Sequence, residues 1–211
     1  MSKYWYLSTS DDYLSGFENE EFEQNAVSAF EEVLFNSPEA YEVIHKGNLV
    51  RMVVQDQDDS QKKKILSRLG TIERGDLILH KNLNWLVMDF VDDNKMYQVA
   101  KAQLCNTDLE FSASGGEREP IGYDDWNNPI YDDTPTSLPS SIPCIAEMKI
   151  VDETLNSPIN LESDQIKITI PYIPMMIESF RVYDEDYRVK SVDQTRVING
   201  KGILIIIGER S

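Results

Sequence analysis

The sequence predicts a mainly β (α+β) protein with an N-terminal helix, a small antiparallel β-barrel or sandwich, and a second small C-terminal β-module. Short runs rich in β-branched and aromatic residues recur between 49 and 106. Clusters of Gly, Asn and Asp separate these runs at nearly even spacing, and a second series of alternating strands begins at residue 165. Such spacing is typical of small antiparallel barrels and sandwiches.

An acidic helix is predicted over 17–35. Apolar residues recur there at intervals of three, four and seven, which places them on one helical face. Glutamates crowd the first half of this segment, where the helix dipole favours negative charge. Pro38 ends the helix, because the residue before a proline is disfavoured in the helical conformation. A further helical turn is expected over 40–43, followed by a strand over 49–54.

Residues 64–106 are predicted to form one uninterrupted β-meander. The expected elements are, in order, a strand at 65–69 closed by Gly70, a turn at 74–76, a strand at 77–79, a four-residue hairpin loop at 81–84, a returning strand at 85–88, a turn at 92–95 and a strand at 96–104. This meander is the framework of the first β-unit.

Residues 112–143 are rich in Gly, Pro, Ser and Asp. Connections of this length in compact domains are usually functional or disordered. A strand at 144–150 is expected to complete the first β-unit, and 155–159 is interpreted as a linker. The second unit is built from three predicted strands, 165–170, 187–192 and 203–207. The last of these is continuously apolar, so we expect it to be buried on both faces.

The predicted organisation therefore has three parts. Residues 1–47 form an N-terminal arm and the acidic helix, residues 48–151 form a barrel-like domain with a long inserted loop at 112–143, and residues 152–211 form the C-terminal β-module. A chain of 211 residues is long enough for one large or two small domains with a buried core.

The charge of the chain is its most unusual compositional feature. There are 37 acidic and 20 basic residues, a net charge of −17. Residues 1–60 carry 13 acidic and 3 basic side chains and residues 111–211 carry 17 and 9, whereas residues 61–110 carry 7 and 8. This balance disfavours direct binding to nucleic acid or anionic lipid, which rests on Lys and Arg. An acidic surface keeps a protein soluble or repels a polyanion that must pass without sticking.

No apolar run approaches the ~20 residues of a membrane span, and residues 1–7 lack the apolar core of a secretion signal. No membrane partner is therefore expected. Cys105 and Cys144 do not form a Cys-x-x-Cys pair, so two buried thiols in a reducing compartment are expected, with a bridge between them as the alternative.

Nothing in the sequence predicts a catalytic residue, a cofactor or a metal site. His45 and His80 are the only histidines and lack metal-ligand spacing, so they are interpreted as exposed or hydrogen-bonded surface residues. The acidic stretches 56–60 and 184–186 lack the ligand spacing of a calcium loop and are interpreted as solvated turns. Residues 74–76 spell Arg-Gly-Asp, which is interpreted as a turn between two strands.

The candidate partner-binding residues are aromatic. Tyr4, Trp5 and Tyr6 lie in the N-terminal arm, and Trp126 and Tyr131 lie in the long loop. Aromatic side chains on projecting segments anchor many interfaces. The alternative for the arm is that it packs on the core of its own chain.

Three segments of the meander carry a family resemblance. Their patterns are Leu-Gly-Thr-Ile-x-Arg-Gly-Asp at 69–76, Trp-Leu-Val at 85–87, and Asp-Asn-Lys-x-Tyr-x-x-Ala-x-x-x-Leu-Cys-Asn at 93–106. With them the chain resembles structural proteins of the head–tail region of phages that infect Gram-positive bacteria. The segments at 187–195 and 202–204 are similar to the small β-module that ends those proteins. The resemblance covers 49–111 and 160–211, somewhat over half of the chain.

This resemblance implies a non-enzymatic virion protein of the head–tail connector. Such a head-completion or stopper protein forms a homo-oligomeric ring between the portal or adaptor and the tail, is assembled in the host cytoplasm, and lets DNA pass through its lumen without specific binding. Two alternatives remain open. One is a tail or baseplate adaptor, and the other is a small intracellular β-barrel enzyme that acts on a nucleotide through residues such as Arg118, Asp124 and Asp125.

Overall fold

The computed structural model describes residues 18–111, 122–123, 129–130, 140–152, 157–160 and 164–211. Within them the chain forms one helix and two small six-stranded antiparallel barrels. The predicted mainly β fold, with an N-terminal helix and two β-modules, is therefore confirmed. No helix among the described residues combines the length and the apolarity needed to cross a bilayer.

The helix α1, Glu18–Asn36, agrees with the sequence prediction and packs against the outside of the first barrel. Phe30 and Leu34 are buried against Val53, and the ring of Phe30 stacks on that of Tyr97 with centroids 4.9 Å apart. Burial of two large apolar side chains contributes on the order of 4 kcal/mol. This packing, more than helix propensity, holds α1 on the barrel.

The first barrel is contiguous in the sequence. Its six strands are β1 (Ala40–His45), β2 (Asn48–Asp56), β3 (Lys62–Ser67), β4 (Leu77–His80), β5 (Leu83–Val87) and β7 (Gln98–Leu104), and the two-residue strand β6 (Asp92–Asp93) pairs with β7. They are ordered β3-β2-β1-β4-β5-β7, and pairing of β3 with β7 closes the barrel. Its interior is filled by inward side chains that include Val43, Met52, Ile65, Ile78 and Trp85.

The predicted helical turn over 40–43 is wrong, because this segment is strand β1. All six residues of β1 pair with β2, and the pairing puts Val43 and His45 inside the barrel. Lys46 and Gly47, with φ of 49° and 77°, make the tight turn that joins the two strands. Long-range burial thus overrides the local helical tendency.

The predicted uninterrupted meander is also wrong. Strands β3 and β4 follow each other in sequence but do not pair, because β3 lies between β2 and β7 while β4 lies between β1 and β5. The connection between them carries Ile72, which is fully buried. The predicted four-residue loop at 81–84 is a two-residue turn, since His80 pairs directly with Leu83.

The second barrel draws its strands from the rest of the chain. The described strands are β8 (Thr107–Phe111), β9 (Gly122–Tyr123), β10 (Pro129–Ile130), β11 (Ser140–Glu147), β12 (Lys149–Asp152), β13 (Ser157–Asn160), β14 (Gln165–Pro171), β15 (Ser179–Val182), β16 (Glu185–Asp193), β17 (Val197–Ile198) and β18 (Lys201–Arg210). The barrel order is β14-β11-β8-β15-β16-β18, closed by pairing of β14 with β18. Strands β9 with β10, and β12 with β13, form two separate two-stranded antiparallel sheets.

Two segments pair differently from the sequence prediction. Strand β11, expected to complete the first unit, pairs with β8 and β14 in the second barrel. Residues 157–159 of the predicted linker belong to strand 157–160 (β13), which pairs with β12. The prediction that strand β18 is buried on both faces holds in part. Leu204 and Ile206 face the core of the second barrel and Ile203 faces the first barrel, whereas Ile205 and Ile207 are half-buried.

Candidate functional site at the junction of the two barrels

A small apolar cluster joins the two barrels. Leu77 and Leu86 lie on the outside of the first barrel and contact Ile145 and Ile203 of the second. Leu86 and Ile203 are completely buried. Full burial of one such side chain contributes about 2 kcal/mol, so the cluster gives the barrels a shared core.

The backbones of the two barrels come into very close contact beside this cluster. Gly75 occupies the left-handed region with φ of 87°, and a Cβ added there would overlap the carbonyl oxygen of Gly202. The turn that carries Gly75 is tied to strand β5 by two hydrogen bonds, Gly75 N–H to the Val87 carbonyl and Val87 N–H to the Asp76 carbonyl, each 2.9 Å. Only glycine fits this approach.

Asp76 is the centre of a polar network below that turn. Its Oδ2 lies 2.8 Å from Nε2 of His45 and accepts the N–H of Glu73 at 2.8 Å, while its Oδ1 lies 2.9 Å from Nζ of Lys46. The side chains of His45 and Asp76 are only 5% and 11% exposed. A mostly buried carboxylate that accepts several hydrogen bonds fixes the groups around it. The network therefore holds the 73–76 turn against β1.

One ion pair connects the barrels directly. Lys201 of β18 donates from Nζ to Oε1 of Glu73 at 2.5 Å, and Lys46 Nζ lies 3.7 Å from the other carboxylate oxygen of Glu73. All three side chains are more than a third exposed. Exposed ion pairs contribute little to the free energy of unfolding. The Glu73–Lys201 contact therefore favours one orientation of the two barrels more than it stabilises the fold.

A side-chain amide bridges the connection between the barrels. Asn106, between β7 and β8, donates from Nδ2 to the Ala146 carbonyl at 2.9 Å and accepts the Ala146 N–H at 2.8 Å. With these two hydrogen bonds the Asn106 side chain takes the place of a paired backbone residue on a neighbouring strand. It fixes the end of the first barrel against strand β11.

The junction opens into a cleft of about 240 Å³. The lining includes Lys46, Glu73, Tyr172 and Lys201, with the backbone of Gly75 and Gly202 at its floor. Among the described residues, the hydrogen bond of His45 leads to Asp76, and no group of three or more His, Cys, Asp or Glu side chains is arranged to hold a metal.

A larger concavity of about 430 Å³ lies in the second barrel where β8 and β15 separate. These strands meet at one register pair, Glu110 with Arg181, and the opening is lined by Phe111, Phe180 and Tyr187. Burial raises the pKa of the Tyr187 hydroxyl, as does its hydrogen bond of 2.8 Å to Glu185. The phenol therefore stays protonated and serves as a fixed donor.

The outside of the first barrel carries an uncovered apolar row. Ile44 of β1 pairs in register with Leu49 of β2 on one side and with Leu79 of β4 on the other. Paired residues on neighbouring strands point to the same face. Ile44 is 43% and Leu49 66% exposed, and Leu79 is half-buried.

The aromatic residues proposed from the sequence cannot be placed. Tyr4, Trp5, Tyr6, Trp126 and Tyr131 all lie outside the described residues. The same holds for Arg118, Asp124 and Asp125, which the nucleotide-enzyme alternative requires.

The interpretation of the two histidines as surface residues is wrong in one respect. His45 is hydrogen-bonded, but both side chains are buried, since they point into the first barrel. The ring of His80 makes an edge contact with Tyr41 at 4.7 Å. Burial lowers the pKa of His80, and the nearby Lys81 and Lys63 lower it further.

Both cysteines are free thiols. Cys144 is fully buried and Cys105 is partly exposed. Burial raises the pKa of each thiol to about 12. The expected free thiols are present, but only Cys144 is fully buried as predicted.

The sequence did not single out the residues of the junction. Arg74-Gly75-Asp76 is a turn, as predicted, with the Asp76 N–H donating to the Glu73 carbonyl at 3.1 Å. Its role as the contact between barrels depends on Lys201 and Gly202, more than 120 residues further along. No local pattern reports such a distant pairing.

Comparison with known proteins gives two similarities. The YomX N-terminal domain family matches residues 13–104, a range that includes α1 and all strands of the first barrel. The chain is also similar to the SPbeta prophage-derived protein YomX of Bacillus subtilis strain 168, with 25% identity over 164 residues, which cover 72% of each chain. No solved structure matches the chain. The comparisons therefore indicate a phage-related protein.

Proposed function

We propose that this chain is a non-enzymatic structural protein of a tailed-phage virion. In this proposal several copies form a ring in the head–tail connector, as a head-completion or stopper protein between the portal or adaptor and the tail. The observation that carries the proposal is the pair of closed barrels locked together by the Gly75–Gly202 contact and the apolar cluster around Leu86.

Two barrels in a fixed relative position suit a protein that must hold one larger assembly in place relative to another. Both barrels are closed, so their cores are complete within one chain. The apolar row at Ile44 and Leu49 is then available for contacts with other proteins. Phage origin, indicated by the similarity to a prophage-derived protein, makes a virion the natural setting.

The charge of the chain fits a position around a DNA channel. With a net charge of −17, a ring of copies would repel the phosphate backbone and let DNA pass without binding. The partners in this proposal are therefore other proteins, namely further copies, the portal or adaptor, and the tail.

Imaging of phage particles tests the proposal. A short tag at the C-terminus of the chain, expressed in cells that produce the phage carrying this gene, is labelled with gold and located on purified particles. We expect label at the neck, between head and tail. Label at the tail tip would replace the connector with a tail or baseplate adaptor, and particles free of the chain by mass spectrometry would contradict any virion role.

A ligand experiment tests the non-enzymatic part of the proposal. The melting temperature of the purified chain is measured with and without Mg²⁺ and nucleoside triphosphates. We expect no change. A clear rise would favour an enzyme that acts on a nucleotide, because a ligand that binds the folded state stabilises it.

A further inference from the structure

The turn between β17 and β18 carries the only Asn-Gly pair of the sequence. Asn199 and Gly200 are the two central residues of this turn, because Ile198 pairs in register with Lys201. Their φ values are 52° and 74°, so both residues occupy the left-handed region. Two-residue hairpin turns of this kind favour asparagine followed by glycine. The pair therefore has a structural reason for its position, and its chemistry comes in addition.

Both groups that such a pair needs for reaction are accessible. Asn199 and Gly200 are exposed. Among the residues that the structure describes, none accepts a hydrogen bond from the Gly200 N–H, and none is hydrogen-bonded to the side-chain amide of Asn199. Gly200 lies inside the turn, so its N–H is outside the ladder that Ile198 and Lys201 begin. Neither the amide nor the nitrogen is therefore held by another contact.

An asparagine side chain can react with the backbone of the residue that follows it. The Gly200 nitrogen attacks Cγ of Asn199, the bond from Cγ to the amide nitrogen breaks, and that nitrogen leaves as ammonia with the proton from Gly200. Water then opens the five-membered succinimide at either carbonyl, which gives aspartate or isoaspartate. Glycine favours this ring closure because it has no Cβ to crowd the nitrogen. Water is the only other reactant.

A second exposed asparagine in a similar turn provides an internal comparison. Asn82 has φ of 60° and lies in the two-residue turn between β4 and β5. The residue that follows is Leu83, which carries a side chain and already belongs to the ladder through its pairing with His80. Asn82 thus shares the exposure and the φ of Asn199 but lacks the glycine neighbour.

We propose that Asn199 is a site of self-modification, at which the folded protein converts its own asparagine to aspartate and isoaspartate. The reaction adds one negative charge beside the junction of the two barrels, because Gly200 and Lys201 line the junction cleft. Lys201, two residues further along the chain, donates to Glu73 at 2.5 Å. A second acidic group therefore arises near the ion pair that connects the barrels. The inference does not depend on the proposed function.

Incubation of the purified full-length chain at mildly alkaline pH tests the proposal. Samples taken over several days are digested under mildly acidic conditions, which slow the reaction, and are compared with the starting material by mass spectrometry. We expect the mass gain of an amide that becomes a carboxylic acid to grow at Asn199 and not at Asn82. The rate should rise with pH, because hydroxide removes the proton of the Gly200 nitrogen before the attack.

Two variants serve as controls. Asn199→Gln should lose the product, because the longer side chain would have to form a less favourable six-membered ring. Asn199→Asp provides the chromatographic standard for the aspartate product, so that a second peak of equal mass identifies isoaspartate. Circular dichroism before and after incubation reports whether the chain has stayed folded.

Three results would overturn the inference. They are the absence of product at Asn199 in the folded chain when the chain unfolded in urea forms it, equal rates at Asn199 and Asn82, and a mass gain in this turn that persists in Asn199→Gln. The first result would show that the turn protects the asparagine. The experiment needs no phage particles, so its outcome is independent of any role in a virion.

Discussion

Gly75 of the first barrel faces Gly202 of the second so closely that neither the side chain of alanine nor any larger one fits at position 75. The contact is between two backbones, so it resists small adjustments that flexible side chains would allow. Beside it, the apolar cluster at Leu86 joins the two barrels, and the Asp76 network fixes the turn that carries Gly75 within the first barrel. The 73–76 turn is thus one of the contacts that set the relative position of the barrels, together with the Leu86 cluster and the Asn106 bridge.

Gly75→Ala should destabilise the protein more than an ordinary glycine substitution does. Alanine at a left-handed φ costs ~1 kcal/mol, and here the overlap with the Gly202 carbonyl adds to that cost. Gly70→Ala is the matched control, since Gly70 has φ of 69° and nothing within 4 Å of an added Cβ. Urea unfolding measures both, and equal costs would show that the junction is looser than the structure indicates.

Asp76→Asn should lower the free energy of unfolding by about 2 kcal/mol, the usual range for a hydrogen bond to a charged group. The substitution keeps the shape of the side chain but removes the charge that faces His45 and Lys46. Asp184→Asn is the control, because the side chain of Asp184 is 99% exposed. Denaturant midpoints that fall equally for the two variants would argue against the network.

His80 should make the protein less stable in mild acid. Burial, then Lys81 and Lys63, lower the pKa of His80 in the folded state. The unfolded state therefore binds the proton first, and stability declines as the pH falls through about 6.5, the ordinary pKa of histidine. The loss ends below the lowered pKa of the folded state.

The measurement is the urea midpoint between mildly alkaline and mildly acidic pH, for the natural chain and for His80→Gln. The glutamine variant should be less stable throughout but should show a flatter pH dependence. Parallel curves for the two proteins would assign the acid sensitivity to other groups.

The two thiols should be unreactive in the native protein. A thiol whose pKa is raised to about 12 is almost entirely protonated near neutral pH, and the thiolate is the reactive form. We expect a chromogenic disulfide reagent to report almost no thiol at pH 8 and two thiols after unfolding in urea. Rapid reaction of one thiol would point to the partly exposed Cys105, and rapid reaction of both would contradict the burial of Cys144.

Removal of residues 1–16 should leave the fold intact but prevent incorporation into particles. The helix and both barrels are built from residues after this segment, while Tyr4, Trp5 and Tyr6 are the aromatic anchors expected in the arm. Circular dichroism and melting temperature report the fold, and mass spectrometry of particles reports incorporation. A truncated chain that does not fold would assign the arm to the core.

The sequence predicted the elements whose characteristic residue pattern lies within one short segment. The apolar period of α1 and the break at Pro38 gave the helix, and the alternation at 165–170 and 187–192 gave two strands of the second barrel. The error at β1 has a physical reason. Residues 40–45 are stabilised by pairing with β2 and by burial of Val43 and His45 in the barrel, which a short window does not contain.

Neither the closure of the barrels nor the contacts between them could be predicted from local sequence patterns. Closure depends on β3 pairing with β7 and β14 with β18, and a pattern of strands and turns is compatible with many strand orders. The junction brings Glu73 to Lys201, and its centre joins His45 to Asp76. The Glu73–Lys201 pair requires both barrels, whereas the His45–Asp76 pair requires β1 and β4 to lie side by side in the first barrel.

The contiguity of the first barrel has a consequence for how the chain is made. All its strands lie between residues 40 and 104, so it can close while the ribosome is still adding the second half. The second barrel closes only after β18 has been made, and until then the cluster at Leu77 and Leu86 lacks Ile203. The nascent chain therefore passes through a state in which the first barrel is closed and its apolar cluster is incomplete. Strand β18 both closes the second barrel and completes that cluster.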